Sequence, residues 1–288
     1  MNNTTKGILL AILASAILST ANVSAQYFLK FTNAESLAVV WYVPTVVAAL
    51  LITAWKGKLI SEIKNHWKQG LVIGIIYSFA ALFWFKSIAM IGAERAGFVT
   101  RFETIFAVLL AVLFLKEKLN RKEALGIFIA VAGTLIISYS GSNYARLGSL
   151  VALFAALAIA AHLLAAKILL KTMDKVTMLG FRNFFTSLFV AVYVFSIGAF
   201  KPIPLNVLPS IAFFSLLSSF VGFYVLFIAL HHLGAAKTGA FRVLDPVFIV
   251  IYASLIFSTL PNAQVLIGGA ITLAGILILS LSREKAAL

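Results

Sequence analysis

The stretch from Gly92 to Ser138 recurs 142 positions later, from Gly234 to Ser280, without a gap in either copy. Gly92 meets Gly234, Ala93 meets Ala235, Gly97 meets Gly239, Phe106 meets Phe248, and Gly126, Gly133 and Ser138 meet Gly268, Gly275 and Ser280. The chemistry follows the spacing, since Arg95 falls on Lys237 and Glu103 on Asp245. A repeat about half as long as the 288-residue chain is too long for a solenoid unit and implies two related halves packed on each other. The halves divide the chain into residues 1–141 and 142–288.

The medium in which these halves pack follows from composition. Hydrophobic residues make up 62% of the chain and charged residues 11%, far from the near-half and quarter shares of soluble domains. Apolar runs long enough to cross about 30 Å of hydrocarbon as a helix lie at Gly7–Leu29, Ser36–Trp55, Gly70–Met90, Ala96–Leu115, Glu123–Tyr139, Gly148–Leu170, Val176–Phe200, Val207–Leu230, Thr238–Ser258 and Ala263–Ser282. The runs are continuously apolar rather than alternating, which excludes a β-barrel, and helices are the form in which lipid-exposed backbone satisfies itself.

Lysine and arginine accumulate in cytoplasmic loops. With the N-terminus inside, fifteen of the 23 basic residues fall inside and four outside, while Lys86, Arg101, Arg182 and Arg242 fall within spans. Both termini are then cytoplasmic. Five spans per half is an odd number, so the second half enters from the opposite side. The expected fold is an all-α integral membrane protein of ten transmembrane helices in two inverted five-helix repeats, an arrangement suited to alternating access.

The remaining composition narrows the chemistry. A net charge of +14 suggests nucleic acid, but the basic residues sit singly or in short runs between apolar segments rather than along one face, so no nucleic-acid partner is expected. Without cysteine there is no disulfide, thiolate nucleophile or cysteine-bound metal. Val23-Ser24-Ala25 has the small-residue character of a signal-peptide cleavage site. Against cleavage stands the match of Gly7–Lys30 to the internal segment Gly148–Lys171. Nothing in the sequence sets an oligomeric state.

Two five-span halves with Gly92-Ala-Glu-Arg-Ala-Gly97, then Leu115-Lys-Glu-Lys118, then a helix carrying Gly126 and Gly133, resemble the EamA family of the drug/metabolite transporter superfamily over nearly the whole chain. The resemblance implies a permease or exporter of small metabolites, often amino acids, in a bacterial inner membrane, with a central cavity between the halves. The chain departs from the family pattern at Leu18-Ser19-Thr20, where Trp-Ser-Thr is common, and at Tyr42, where arginine is common, while the second half keeps Arg182.

Polar groups within spans are costly and mark candidate transport residues. Ser15, Ser19, Asn22 and Gln26 share one face of the first helix, either lining a cavity or bonding a neighbouring helix. Tyr77 and Trp84 share a face of the third and would wall a cavity or simply pack. Lys86 and Arg182, each near a span end, are expected to reach interfacial water. His162 is a substrate or proton-relay candidate, with helix contact as the alternative.

The ninth helix can pair Arg242 with Asp245 across three residues, whereas Arg101 and Glu103 would point to different faces of a straight fourth helix. Counting about 12 Å along ideal helices from Arg95 to Glu103 and from Lys237 to Asp245 puts the two acids in opposite halves of the membrane, as parts of two separate gating networks. The surplus of intramembrane positive charge points to a carboxylate-bearing substrate, received by Arg101 or Arg242. No metal or cofactor motif is present. An integral-membrane enzyme and a non-transporting structural component remain as alternative classes.

Overall fold

The computed structural model describes residues 3–115, 120–138, 142–258 and 260–286. Helices account for nearly all of them, and no strand occurs among the described residues. The first half of the chain carries α1 (Asn3–Phe28), α2 (Ala34–Trp41), α3 (Val43–Trp55), α4 (Leu59–Thr100), α5 (Glu103–Leu115) and α6 (Arg121–Ser138). The second carries α7 (Asn143–Leu169), α8 (Lys175–Ser196), α9 (Leu208–Ser215), α10 (Phe223–Phe241), α11 (Asp245–Phe257) and α12 (Ala263–Ala286). A π-helical segment, Leu216–Gly222, joins α9 to α10, and a 3-10 turn, Arg242–Leu244, joins α10 to α11. Lys116, Glu117 and Lys118 of the family-like motif, the span end at Tyr139 and the start of the Gly141–Ala145 loop lie outside the described residues.

Seven helical stretches among the described residues are long and apolar enough to cross a membrane. The side-chain distribution agrees with a lipid environment. Leu51, Leu113, Phe128 and Leu255 face outward, while Ser15, Asn22, Thr45, Arg182, Asn183 and Thr186 are buried. The protein is a multi-pass membrane protein that turns apolar side chains to lipid and collects its polar groups inside.

Two expected connections stay helical. α4 runs from Leu59, ahead of the expected span start at Gly70, through the expected gap before Ala96. It turns without ending because Gly92 takes φ 79°, ψ 165°, a conformation that a Cβ would disfavour. The side chain of Gln26 accepts a hydrogen bond from the Ala93 N–H there, satisfying a backbone group that the break releases. α10 likewise continues to Phe241, past the expected end of its span at Leu230.

Glycine sets the closest helix contact. A Cβ on Gly126 would lie 2.7 Å from the Gly275 carbonyl oxygen, and one on Gly133 would lie 2.4 Å from the Thr272 nitrogen. Conversely, a Cβ on Gly268 would meet the Gly133 oxygen at 2.8 Å, and one on Gly275 the Ala130 nitrogen at 2.4 Å. Low numbers on α6 thus face high numbers on α12, so the pair is antiparallel and its backbones touch, as small residues allow in lipid. Elsewhere α4 packs along α7, and α1 packs on α10. The middle of α1 meets the break between Phe241 and Asp245 through Ser15 and Ser19, and its Asn22 shares a cavity with Arg101 and Glu103.

Candidate functional site

Both breaks carry the same charge logic. Arg101 caps the C-terminal end of α4 and Glu103 opens α5; Arg242 follows α10 and Asp245 opens α11. A cation suits the negative end of a helix and a carboxylate the positive end, so each break places an arginine and an acid within three residues of each other.

The four side chains meet in one cluster. Arg101 Nη1 lies 2.6 Å from Asp245 Oδ2 and 3.1 Å from Glu103 Oε1. Arg242 reaches Glu103 Oε1 with Nη1 at 2.7 Å and Asp245 Oδ2 with Nη2 at 3.2 Å. Two cations face two carboxylates, so the quartet has no net charge. All four side chains are almost wholly buried, where an unmatched charge would cost several kcal/mol (about that per ion).

Three sequence expectations are corrected here. Arg101 and Glu103 do pair, because the helix breaks between Thr100 and Glu103 and its straight-rod geometry no longer holds them on different faces. Glu103 and Asp245 belong to one network rather than to two on opposite sides, since the heights were counted along ideal helices that actually break between Thr100 and Glu103 and at Arg242–Leu244. Arg101 and Arg242 are already matched by carboxylates and do not hold the surplus positive charge.

The quartet forms one side of a central cavity that leaves about 80 Å³ for the centre of a water-sized molecule. One water needs roughly 10–15 Å³ on that measure, so the space suits a small solute. Asn22 from α1, Tyr77 and Trp84 from α4, and Arg101, Glu103, Arg242 and Asp245 all line it. Three acceptor oxygens on this lining are buried without a hydrogen-bond partner: Asn22 Oδ1, Glu103 Oε2 and Asp245 Oδ1.

Four other sequence candidates lie off the cavity lining. Ser19 donates within its own helix to the Ser15 carbonyl (2.7 Å) and across to the Asp245 carbonyl (2.9 Å), locking α1 to the start of α11. Gln26 serves the Gly92 break. His162 is fully buried on α7 with its ring centroid 4.5 Å from that of Tyr77, behind the cavity wall. Lys86 is exposed, 3.9 Å from Glu35, as an interfacial lysine would be.

Arg182 is the fourth correction. It is fully buried rather than reaching the interface, with its guanidinium carbon 4.3 Å from the Tyr77 ring centroid and 4.2 Å from that of Phe223. Its Nε donates to Asn183 Oδ1 at 2.9 Å. The cause is α8's register: Arg182 lies one turn after Met178 and Leu179, which are also buried, on the face turned to the protein interior.

Sequence reasoning also missed Trp41, Tyr42, Ser218, Ser219 and Phe223, all on the cavity lining. Trp41 Nε1 donates to Ser219 Oγ at 2.9 Å, and Ser215 Oγ donates to the Trp41 carbonyl. Ser218 and Ser219 sit in the π-helical segment, a distortion that frequently marks functional sites. The consecutive serines within an apolar span, three residues before Gly222, were the available signal. Among the described residues no three His, Asp or Glu side chains gather as metal ligands.

Comparison with known proteins gives this cavity its context. The chain is 25% identical over 232 residues to an uncharacterized transporter of Methanothermobacter thermautotrophicus, covering 78% of this chain and 68% of that one. It is 23% identical over 260 residues to an uncharacterized transporter of Archaeoglobus fulgidus (86% and 84% covered), and 24% identical over 268 residues to the uncharacterized transporter YyaM of Bacillus subtilis (88% and 86%). A crystal structure with 15% sequence identity superposes with a TM-score of 0.68 over 99% of both chains, a likeness of fold. The model of the EamA-like transporter family matches twice, over residues 5–139 and 146–281, and the chain therefore belongs to that family.

Proposed function

We propose that this transporter moves a small amino acid or related carboxylate-bearing metabolite outward across a bacterial inner membrane by alternating access, without chemical change. The observation that carries the substrate class is the trio of unpartnered acceptors, Asn22 Oδ1, Glu103 Oε2 and Asp245 Oδ1, on one cavity. Buried acceptors demand donors, and an ammonium group offers three on a compact positive charge. The Tyr77, Trp84 and Phe223 rings provide the apolar flank for a side chain.

The mechanism follows from ten spans in two inverted halves, residues 1–141 and 142–288. The antiparallel, reciprocal glycine contacts of α6 and α12 support this arrangement, as do the matched arginine-acid breaks, which make two discontinuous helices meet at the cavity. The quartet is the gating element. When the halves rock, the bonds from Arg101 to Asp245 and from Arg242 to Glu103 are those that join the two breaks.

Proteoliposomes loaded with a panel of amino acids and tested by counterflow check the substrate class. At least one amino acid is expected to exchange, and its N-acetyl derivative, which lacks the ammonium, to exchange at least about tenfold more slowly, an affinity difference of about 1.4 kcal/mol. Folded protein that exchanges none of them, or that releases them chemically altered, would falsify the proposal.

Topology has its own test. A reporter fused after Leu288 is expected to report the cytoplasm, and one inserted between Gly141 and Ala145 the outside, from the fifteen-to-four distribution of basic residues. Both reporters on one side would remove the inverted repeat.

A further inference from the structure

Resting on the carboxylate-bearing substrate proposed above, we infer that the carboxylate is received by an anion subsite behind the aromatic wall of the cavity, made by Arg182, Asn183 and His162. The quartet is neutral within itself, and Lys86 is exposed beside Glu35. Arg182 is then the buried cation of the interior that has no carboxylate partner among the described residues. Its Nη2 makes a long contact, 3.4 Å, to the Ser219 carbonyl, and its Nη1 has no partner. A fully buried guanidinium held mainly by two ring faces and one amide oxygen is an incompletely satisfied charge, and such a charge attracts an anion.

Its neighbours point to the same ligand. Asn183 Oδ1 accepts from Arg182 Nε, which leaves Nδ2, also unpartnered, on the same amide. His162 has both ring nitrogens unpartnered and is fully buried. It shares the Tyr77 and Phe223 rings with Arg182, at centroid distances of 4.5 and 6.2 Å. A neutral imidazole still carries one N–H. The cluster therefore holds spare N–H donors from three side chains, and a carboxylate's two oxygens match a guanidinium edge in geometry as well as charge.

The subsite adjoins the cavity. Tyr77, Ser219 and Phe223, each in contact with Arg182, line it. Rotation of either ring would open Arg182 to a solute whose ammonium sits at Asn22, Glu103 and Asp245. One site would thus read both ends of an amino acid, the ammonium at the unpartnered oxygens of Asn22, Glu103 and Asp245 and the carboxylate at Arg182. The two rings lie over the guanidinium, at 4.3 and 4.2 Å from its carbon.

The test uses the purified full-length protein and sodium propionate as a minimal carboxylate, with propionamide and sodium chloride as the other arms at constant ionic strength. Intrinsic fluorescence, to which Trp41 and Trp84 on the lining contribute, and the thermal midpoint are the readouts. Propionate is expected to shift both in the parent protein, and propionamide and chloride to shift neither. Arg182→Met keeps an unbranched apolar stem between the rings. It is expected to weaken the propionate response at least tenfold while leaving the midpoint of the unliganded protein unchanged or higher, since it removes an incompletely satisfied charge.

Asn183→Leu is the second variant, expected to weaken propionate severalfold with the guanidinium still in place. If Arg182→Met does not fold, the Asn183→Leu titration decides alone. No response to propionate in the parent, an equal response to chloride, or titrations unchanged in the variants would overturn the subsite. Counterflow separates this from the substrate reading. Amino-acid exchange that survives Arg182→Met at the parent KM removes the subsite and leaves transport standing, whereas a parent that exchanges no amino acid removes the substrate class itself.

Discussion

Asp245→Asn is expected to cost about 3–5 kcal/mol of stability, because it leaves two buried arginines facing the single carboxylate of Glu103. Arg101→Gln is expected to cost a similar amount by the opposite imbalance, two carboxylates on Arg242 alone. Carrying both changes, the protein is neutral again and keeps the 2.7 Å bond from Arg242 to Glu103. The double variant should therefore be more stable than the two single losses predict by addition, by an interaction energy of about 1–3 kcal/mol. Thermal unfolding in detergent, with the folded fraction followed by size-exclusion chromatography, reads all four proteins. Additive losses would mean that the four charges do not act as one network. Because one cluster joins both breaks, Glu103→Gln and Asp245→Asn should also shift accessibility of the cavity in the same direction rather than in opposite ones.

Gly133→Leu on α6 is the second large effect. The new Cβ would lie 2.4 Å from the Thr272 nitrogen and 2.6 Å from the Gly268 oxygen, both backbone atoms that no rotamer change can move aside. Overpacking against flexible side chains costs about 1–3 kcal/mol, so forcing two helix backbones apart should cost at least about 3. The same helix offers a control: Val131→Leu, on the exposed face, should stay within about 0.5 kcal/mol of the parent. A Gly133→Leu protein that melts like the parent would show that α6 and α12 do not touch through their backbones.

Much of this architecture is visible as pattern in the chain. The medium follows from long apolar runs, because lipid tolerates little else, and the twofold organisation follows from the glycines shared at an offset of 142. Those same glycines prove to be the contact between α6 and α12, so that Gly126, Gly133, Gly268 and Gly275 report both the duplication and its packing. Tyr77 and Trp84 could be grouped on one face, and Asn22 on a polar face, because a helix repeats its faces every 3.6 residues; that these faces line a cavity rather than only pack came from the tertiary structure.

Periodicity fails where the helix does. Arg101 and Glu103, two residues apart, diverge on an ideal helix and converge across a break, and the charge there is matched by Asp245 at the start of α11, 144 residues away in the chain. Gln26 looked like the polar neighbour of Asn22, yet its oxygen is claimed by the Ala93 N–H that Gly92 releases. Arg182 looked interfacial from its distance to a span end. Burial came from the rings of Tyr77 on α4 and Phe223 on α10, which close over it from another part of the chain.

The sequence by itself determined that the chain is a helical membrane protein of two related halves with polar residues gathered on particular helix faces, because composition and period act locally. Which of those polar residues neutralise one another, and which are left with unmatched charge, was decided only by tertiary structure. Coulomb and hydrogen-bond energies depend on distances between helices that the order of residues along the chain does not contain.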